Sequence, residues 1–206
     1  NNAEIIFAVH FNKEIVNEGH SYWYDITNLT DESGQAEALV NCFTPGDTRK
    51  EMITYVKAEN KAYLMTKFLD TKNVSFNQVG NDQILLRYAD VLLMYAEALN
   101  ELGYDASEGS IALKQLNATR TRAGLTKLTA ADVPTQESFR KAILDERQKE
   151  FPYEGHRWFD LVRMGYAKSV LATQGLNIQD YQLLFPIPQT EIEKVGDSKI
   201  LWQNPG

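Results

Sequence analysis

The chain has 206 residues, 43% of them hydrophobic and 24% charged, with a formal net charge of −7. That length and balance suit one globular core, or one core with an insertion, and argue against disorder. The acidic balance, with an isoelectric point near 5.1, argues against a nucleic-acid partner and against a polybasic membrane patch.

No apolar run approaches the length of a bilayer span. The lone cysteine, Cys42, rules out an intrachain disulfide and reads beside Phe43 as a small core hydrophobe.

In chain order, Glu4 to Phe11 is a short run rich in β-branched and aromatic residues, which predicts a strand. Asn12 to Asp47 has no clean period and carries Gly19, Gly34, Pro45 and Gly46, so it reads as a long loop region of the kind that often carries function. Inside it stand Tyr22, Trp23 and Tyr24, followed by Asp25. Consecutive side chains on an extended backbone alternate in direction, so these aromatics cannot all face inward. An exposed aromatic face suits the apolar C–H face of a sugar ring, with Asp25 accepting hydroxyl hydrogens. The plainer reading, weighed evenly on the residues alone, is that the aromatics cover the underside of a loop. Thr48 to Tyr55 fits a short helix or a strand equally well, Lys61 to Leu69 reads as a strand, and Asp70 to Gly80 as a loop.

The helices come next. Leu85, Ala89, Leu92, Ala96 and Leu99 recur every three to four residues, with Asn81 or Asp82 as N-cap and Gly103 at the stop. Ala89, Ala96 and Ala98 would let a neighbouring helix come close. Ser107 is the expected cap of a second helix carrying Ala112, Leu116, Thr119 and Ala123 and ending at Gly124. Thr135 caps a third, which Pro152 should end; after Gly155 a short helix runs from His156 to Met164. Two such helical hairpins imply tetratricopeptide-like packing, which needs neighbours to bury its faces. Helices upstream of this chain, or loops packed in their place, are therefore expected. Ser169 to Tyr181 reads as irregular, Leu183 to Pro188 as extended, and Glu191 to Lys194 as one turn capped by Thr190, with Trp202 packed onto the body.

The run Phe139 to Gly165, FRKAILDERQKEFPYEGHRWFDLVRMG, concentrates charge and chain breaks. Glu146, Glu150, Glu154 and Asp160, with His156, could serve acid–base chemistry on a glycoside. Glu146 and Glu150 lie four apart and repel on one helix face unless neutralised. Arg147, Arg157 and Arg163 stand close in sequence, so an ion-pair network fixing a helix corner is the favoured reading. Arg87, Glu97, Arg120 and Arg122 read likewise as structural ion pairs. The sequence has no Gly-rich phosphate loop, HExxH, GxSxG or CxxC, and Asp31 to Gly34 lacks the alternation of a calcium loop. With three scattered histidines, neither a metal nor a cofactor is expected.

DERQKEFPYEGHRWFDLVRMG resembles the ERxxEL-x-x-EGHRxxDLxRxG segment of the SusD/RagB family. Leu86 to Leu102 (LRYADVLLMYAEALNEL), Ile111 to Leu125 (IALKQLNATRTRAGL), Leu184 to Ile192 (LFPIPQTEI) and Gln203 to Gly206 (QNPG) resemble its other blocks, in the family's order. The first eighty residues resemble it only loosely, through EIIFAVHF and the Asp47-Thr48-Arg49 turn. The resemblance implies a mostly α fold of tetratricopeptide-like hairpins with long irregular loops and a few short strands. It divides the chain into a loop-rich region, residues 1–80, holding the candidate ligand face, and a helical region, residues 81–206. It also implies the C-terminal portion of a longer, lipid-anchored outer-membrane protein.

The function it implies is non-enzymatic: capture of a glycan at the cell surface and delivery to a SusC-like TonB-dependent transporter. Family members place loop aromatics around the ligand, which favours the Tyr22–Asp25 region without fixing individual residues. A helical-repeat peptide-binding adaptor is the alternative, and a glycoside hydrolase the less favoured one.

Overall fold

The computed structural model describes residues 2–15, 18–19, 29–30, 35–56, 62–65, 67, 79–197 and 199–204. It is mostly helical, with short strands. Strand β1 (Ile5–Val9) pairs antiparallel with β5 (Gln83–Arg87), Ile5 opposite Arg87 and Ala8 opposite Ile84. Three more strands, β2 (Leu29–Thr30), β3 (Ile53–Val56) and β4 (Ala62–Met65), form an antiparallel sheet in the order β2-β4-β3. The chain divides into two compact units, Asn1–His156 and Arg157–Gly206.

The first unit is built on helices α2 (Tyr88–Leu102), α3 (Ile111–Arg122) and α4 (Gln136–Glu150). They pack pairwise, α2 against both α3 and α4. Leu93 and Ala96 of α2, Leu116 of α3, and Phe139 and Ile143 of α4 are sealed from solvent. These recur at the three-to-four spacing that lines one face of a helix. Ala98, expected in that contact, is exposed. Another stripe of α2 also faces out: Tyr88, Val91, Met94, Tyr95 and Leu102 are all exposed.

Four expectations are corrected here. The run Gln83–Arg87 is strand rather than the first turn of α2, because a short apolar run cannot distinguish the two and β1 supplies a ladder partner. Helix α2 therefore starts at Tyr88 with no side-chain cap from Asn81 or Asp82. Instead Glu4, the residue before β1, caps it: its carbonyl accepts from the Tyr88 amide at 2.7 Å and its carboxylate from the Ala89 amide at 3.2 Å. Helix α3 is capped by Ser110, whose Oγ accepts from the Leu113 amide at 3.2 Å, not by Ser107. The Asn12–Asp47 stretch contains a helix, α1 (Gln35–Cys42), whose residues include no Gly, Pro or β-branched run to oppose it. Thr48 to Tyr55 is both things at once, a 3-10 helix (Thr48–Met52) leading into β3. The Thr135 cap of α4 is present as a reciprocal capping box with Ser138.

The second unit holds α5 (Arg157–Arg163), α6 (Ala167–Thr173) and α7 (Gln189–Val195). Two of these exceed the expectation of an irregular Ser169–Tyr181 stretch and of one turn at Glu191–Lys194 capped by Thr190: α6 runs on to Thr173, and α7 has Pro188 at its N-cap position. Between α6 and α7 the chain passes through Leu184–Pro188, where Pro186 and Pro188 cannot donate to a sheet. The side chain of Gln203 takes the place of a neighbouring strand: its Oε1 accepts from the Ile187 amide at 2.7 Å and its Nε2 donates to the Ile187 carbonyl at 2.8 Å. Asn204 Nδ2 donates to the Phe185 carbonyl at 2.7 Å. Trp202, expected to be packed, is 64% exposed. No helix among the described residues is long and apolar enough to cross a membrane.

One glycine joins α3 to the upstream chain. Gly124 has φ +78°, and a Cβ there would lie 3.1 Å from the Gly46 carbonyl oxygen. The close approach is held by Thr48, whose amide and Oγ1 both donate to the Ala123 carbonyl, at 3.0 and 3.2 Å. Gly124→Ala is therefore expected to cost about 1–3 kcal/mol in chemical denaturation, from left-handed strain plus the contact. Gly109→Ala, with open space around it, serves as the control and should change stability little.

Candidate functional site

Glu146 and Glu150 project from one face of α4, and both side chains are buried. Two carboxylates in that position can remain ionised only with cations beside them. Arg49 supplies the first: its Nη1 donates to Glu146 Oε1 at 2.7 Å and to Glu150 Oε2 at 3.0 Å. The rest of its guanidinium forks onto Asp47, Nε to Oδ1 at 2.9 Å and Nη2 to Oδ2 at 2.8 Å. Asp47 Oδ1 also accepts the Arg49 amide at 3.1 Å, so the Asp47-Thr48-Arg49 turn arrives preformed.

Arg87, at the end of β5, supplies the second. It forks onto Glu154 through Nε and Nη2 at 2.7 and 2.9 Å, and its Nη1 reaches Glu150 Oε1 at 2.6 Å and Glu4 Oε1 at 3.0 Å. The Pro152–Gly155 break after α4 returns the chain so that Glu154 stands beside Glu150; Gly155 takes φ +81° and Tyr153 φ 60° there. Lys67 reaches Glu154 and donates to the Glu150 carbonyl at 3.0 Å. Arg120 lies 3.5 Å from Glu146, and Arg122 pairs with Glu150. Five carboxylates (Glu4, Asp47, Glu146, Glu150, Glu154) thus face five cations (Arg49, Lys67, Arg87, Arg120, Arg122). The Phe151 ring lies against this cluster, with the Arg87 and Arg147 guanidinium carbons 4.4 and 4.9 Å from its centroid.

Burial by itself would raise the Glu150 carboxyl, but the charges of Arg87, Arg122 and Arg49 and its hydrogen bond to Arg87 outweigh it and hold it below the ordinary carboxylate range. Asp47 is lowered in the same way, Arg49 overcoming burial. Burial pushes the Lys67 ammonium down, against the pull of Glu154. The Arg49 and Arg87 guanidinium groups are raised despite burial, by Asp47 and Glu146 in one case and by Glu154 and Glu150 in the other.

This arrangement is poor in acid–base capacity. Glycoside hydrolysis needs a proton-bearing acid and a second carboxylate flanking a substrate. Glu146, Glu150 and Glu154 are instead buried among cations, and Asp160 is buried with Arg163 at 2.8 Å. His156 packs against Phe151 with the rings tilted by 50° and their centroids 4.8 Å apart. The network reading thus describes these carboxylates, with one change. The cations on Glu146 and Glu150 come from distant positions, while Arg147 reaches Asp90 at 2.6 Å and Arg163 reaches Asp160. Arg49, Asp47, Lys67 and Glu4 were missing from the sequence-derived network. Asp-x-Arg at 47–49 carried a usable signal, a carboxylate able to clasp the arginine two residues on, whereas Lys67 and Glu4 carried none.

The sugar-platform residues Tyr22, Trp23, Tyr24 and Asp25 lie outside the described residues. Among the described residues no three His, Cys, Asp or Glu side chains are placed to hold a metal ion.

Residues 52–206 match the model of the SusD family. A curated relative, SusD-like protein P2 of Formosa agariphila, is 36% identical over 139 residues, 62% of this chain and 26% of the relative. A SusD superfamily protein from Parabacteroides distasonis superposes with a TM-score of 0.75 at 24% identity, covering 100% of this chain and 50% of that one. Surface glycan-binding protein A from Bacteroides fluxus superposes with a TM-score of 0.71 at 26% identity, covering 98% and 50%. The chain spans about half the length of these solved proteins, and the aligned stretch about a quarter of the curated relative.

Two outcomes follow from the network. Arg49→Met leaves buried carboxylates unpaired and should cost about 3–5 kcal/mol by denaturant unfolding. Arg49→Lys keeps the charge but cannot fork onto Asp47 while bridging two glutamates, so it should recover only part of the loss. In thermal melts against pH, the lowered Asp47 and Glu150 contribute stability that is complete above the unfolded-state values of about 3.9 and 4.3. Tm should therefore hold down to about pH 5 and fall as acid passes through and below those values, with a shallower fall in Glu150→Gln.

Proposed function

The chain belongs to the SusD family, and on that footing we propose that it is a cell-surface glycan-binding protein, capturing polysaccharide or oligosaccharide for import through a SusC-like TonB-dependent outer-membrane transporter. The observation that carries this reading is the family match across residues 52–206. The relative from Bacteroides fluxus, named a surface glycan-binding protein, adds to it. In this reading residues 81–206 are scaffold and residues 1–80 carry the ligand face.

Tyr22, Trp23 and Tyr24 stack on sugar rings and Asp25 accepts hydroxyl hydrogens. Capture proceeds without bond cleavage, which agrees with carboxylates committed to arginines rather than to a cleft. A lipid anchor holds the protein at the outer membrane. A second reading, a helical-repeat adaptor for peptides, draws on the exposed stripe Tyr88, Val91, Met94, Tyr95 and Leu102 of α2.

Affinity electrophoresis against plant, host and microbial polysaccharides separates the two. Retardation by a glycan without product release is expected. Tyr22→Ala, Trp23→Ala and Tyr24→Ala should each weaken it by roughly two- to tenfold, the worth of one aromatic contact, with Tm unchanged. A drop in Tm with unaltered binding would assign the aromatics to the core. Retardation by no glycan would remove the capture reading and favour the adaptor.

A further inference from the structure

Beside the ion-pair cluster, and sharing Arg122 with it, a groove runs between the outer face of α3 and the segment that follows it. Its volume is about 700 Å³, within the usual range of ligand sites, roughly 300–1,000 Å³. The far wall is fixed by side chains on α3. Asn117 clasps Leu128 through both amide atoms, its Nδ2 donating to the Leu128 carbonyl at 2.8 Å and its Oδ1 accepting from the Leu128 amide at 2.8 Å. Arg120 Nη2 donates to the Thr126 carbonyl at 3.1 Å, and the Ala130 amide donates to Glu108 at 2.7 Å. The groove is therefore held open by the fold rather than formed by a ligand.

Its charge runs against that of the chain. Lys114, Arg122 and Lys127 line it, against a single acid, Glu108, already engaged with the Ala130 amide. Arg122 pairs with Glu150, but Glu150 also has Arg49 and Arg87. Lys114 and Lys127 are exposed residues and make no ion pair among the described residues. In a chain of net charge −7, a pinned groove with two unpaired cations is a local positive site. Leu113, Ala118 and Leu128 add apolar surface to the same lining, as a sugar ring's C–H face requires.

We propose that this groove is a subsite for an acidic saccharide unit, with Lys114 and Lys127 holding its carboxylate or sulfate; the inference rests on the glycan-capture reading, names the class of glycan, and adds one patch of the 81–206 region to the ligand face of residues 1–80. The anion meets the two ammonium groups at the rim while the ring lies along α3. Lysine rather than arginine leaves the contact point-like, so a carboxylate and a sulfate are both acceptable.

The test is affinity electrophoresis of the 206-residue chain and its Lys114→Gln/Lys127→Gln variant in polygalacturonate, chondroitin sulfate and neutral dextran and laminarin. The expected result is retardation by one or both acidic polymers, reduced at least fivefold in the double variant and by raising salt from 50 to 500 mM, with Tm unchanged. Polygalacturonate alone would assign the carboxylate, and chondroitin sulfate alone the sulfate. Retardation by a neutral polymer that the double variant leaves intact, with none by the acidic ones, overturns the groove while the capture reading stands. Retardation by nothing overturns both. Acidic-polymer binding that the double variant does not weaken moves the anion site away from the groove and overturns its assignment.

Discussion

Arg49 bridging Glu146 and Glu150 is the contact on which the helical scaffold depends. Two carboxylates four residues apart on a buried face repel each other and are costly to desolvate. One guanidinium placed between them, with its other edge on Asp47, resolves both difficulties. A buried set of this kind gains little over an apolar replacement of the same volume, whereas removal of one member leaves a charge stranded. What it supplies is geometry. Arg49 fixes the 47–49 turn on α4, Arg87 fixes the β1–β5 ribbon and the 151–155 break on the same helix end, and Arg120 and Arg122 fix α3. The backbone then closes around it, as the approach of Gly46 and Thr48 to the end of α3 shows.

Elsewhere the fold uses side chains where a backbone partner is lacking. The proline-interrupted Leu184–Pro188 segment cannot complete a ladder, and Gln203 meets both polar groups of Ile187 in its place. Asn117 does the same for Leu128, and the Glu4 carboxylate does it for the first turn of α2. Each is a long-range substitute for a local hydrogen bond, which gives short, irregular segments defined positions without regular secondary structure. Motif blocks such as RAGL and QNP are thereby given physical content: a glycine at a close approach and an amide acting as a strand.

The long helices were legible because their period repeats over three or four turns, and Thr135 was legible as a cap because its residue type and its place just before that period are both local signals. The start of α2 was not, since the residues that make Gln83–Arg87 a strand belong to β1, far away in sequence. Ser107 and Ser110 are equally good caps by residue type; only the packing of Leu113 and Leu116 chooses between them. Glu146 and Glu150 announced that cations were needed but not which ones, because proximity in sequence suggested Arg147 while the fold delivered Arg49. Aromatic character at 22–24 suggests chemistry suited to sugars, but three adjacent rings in a run of sequence without a clean period give no direction to read.

The span of the ion-pair cluster has a consequence for how the chain reaches its native state. Arg49 and Glu146 are separated by 97 residues, Arg49 and Glu150 by 101, and Arg87 and Glu150 by 63. Closing loops of that length is entropically expensive and slow relative to helix formation. A buried carboxylate without its cation is costly to desolvate, so these pairs belong to the fully packed state rather than to the helices by themselves. The last contacts to form at the end of α4 are thus also the ones that join the most distant parts of the sequence.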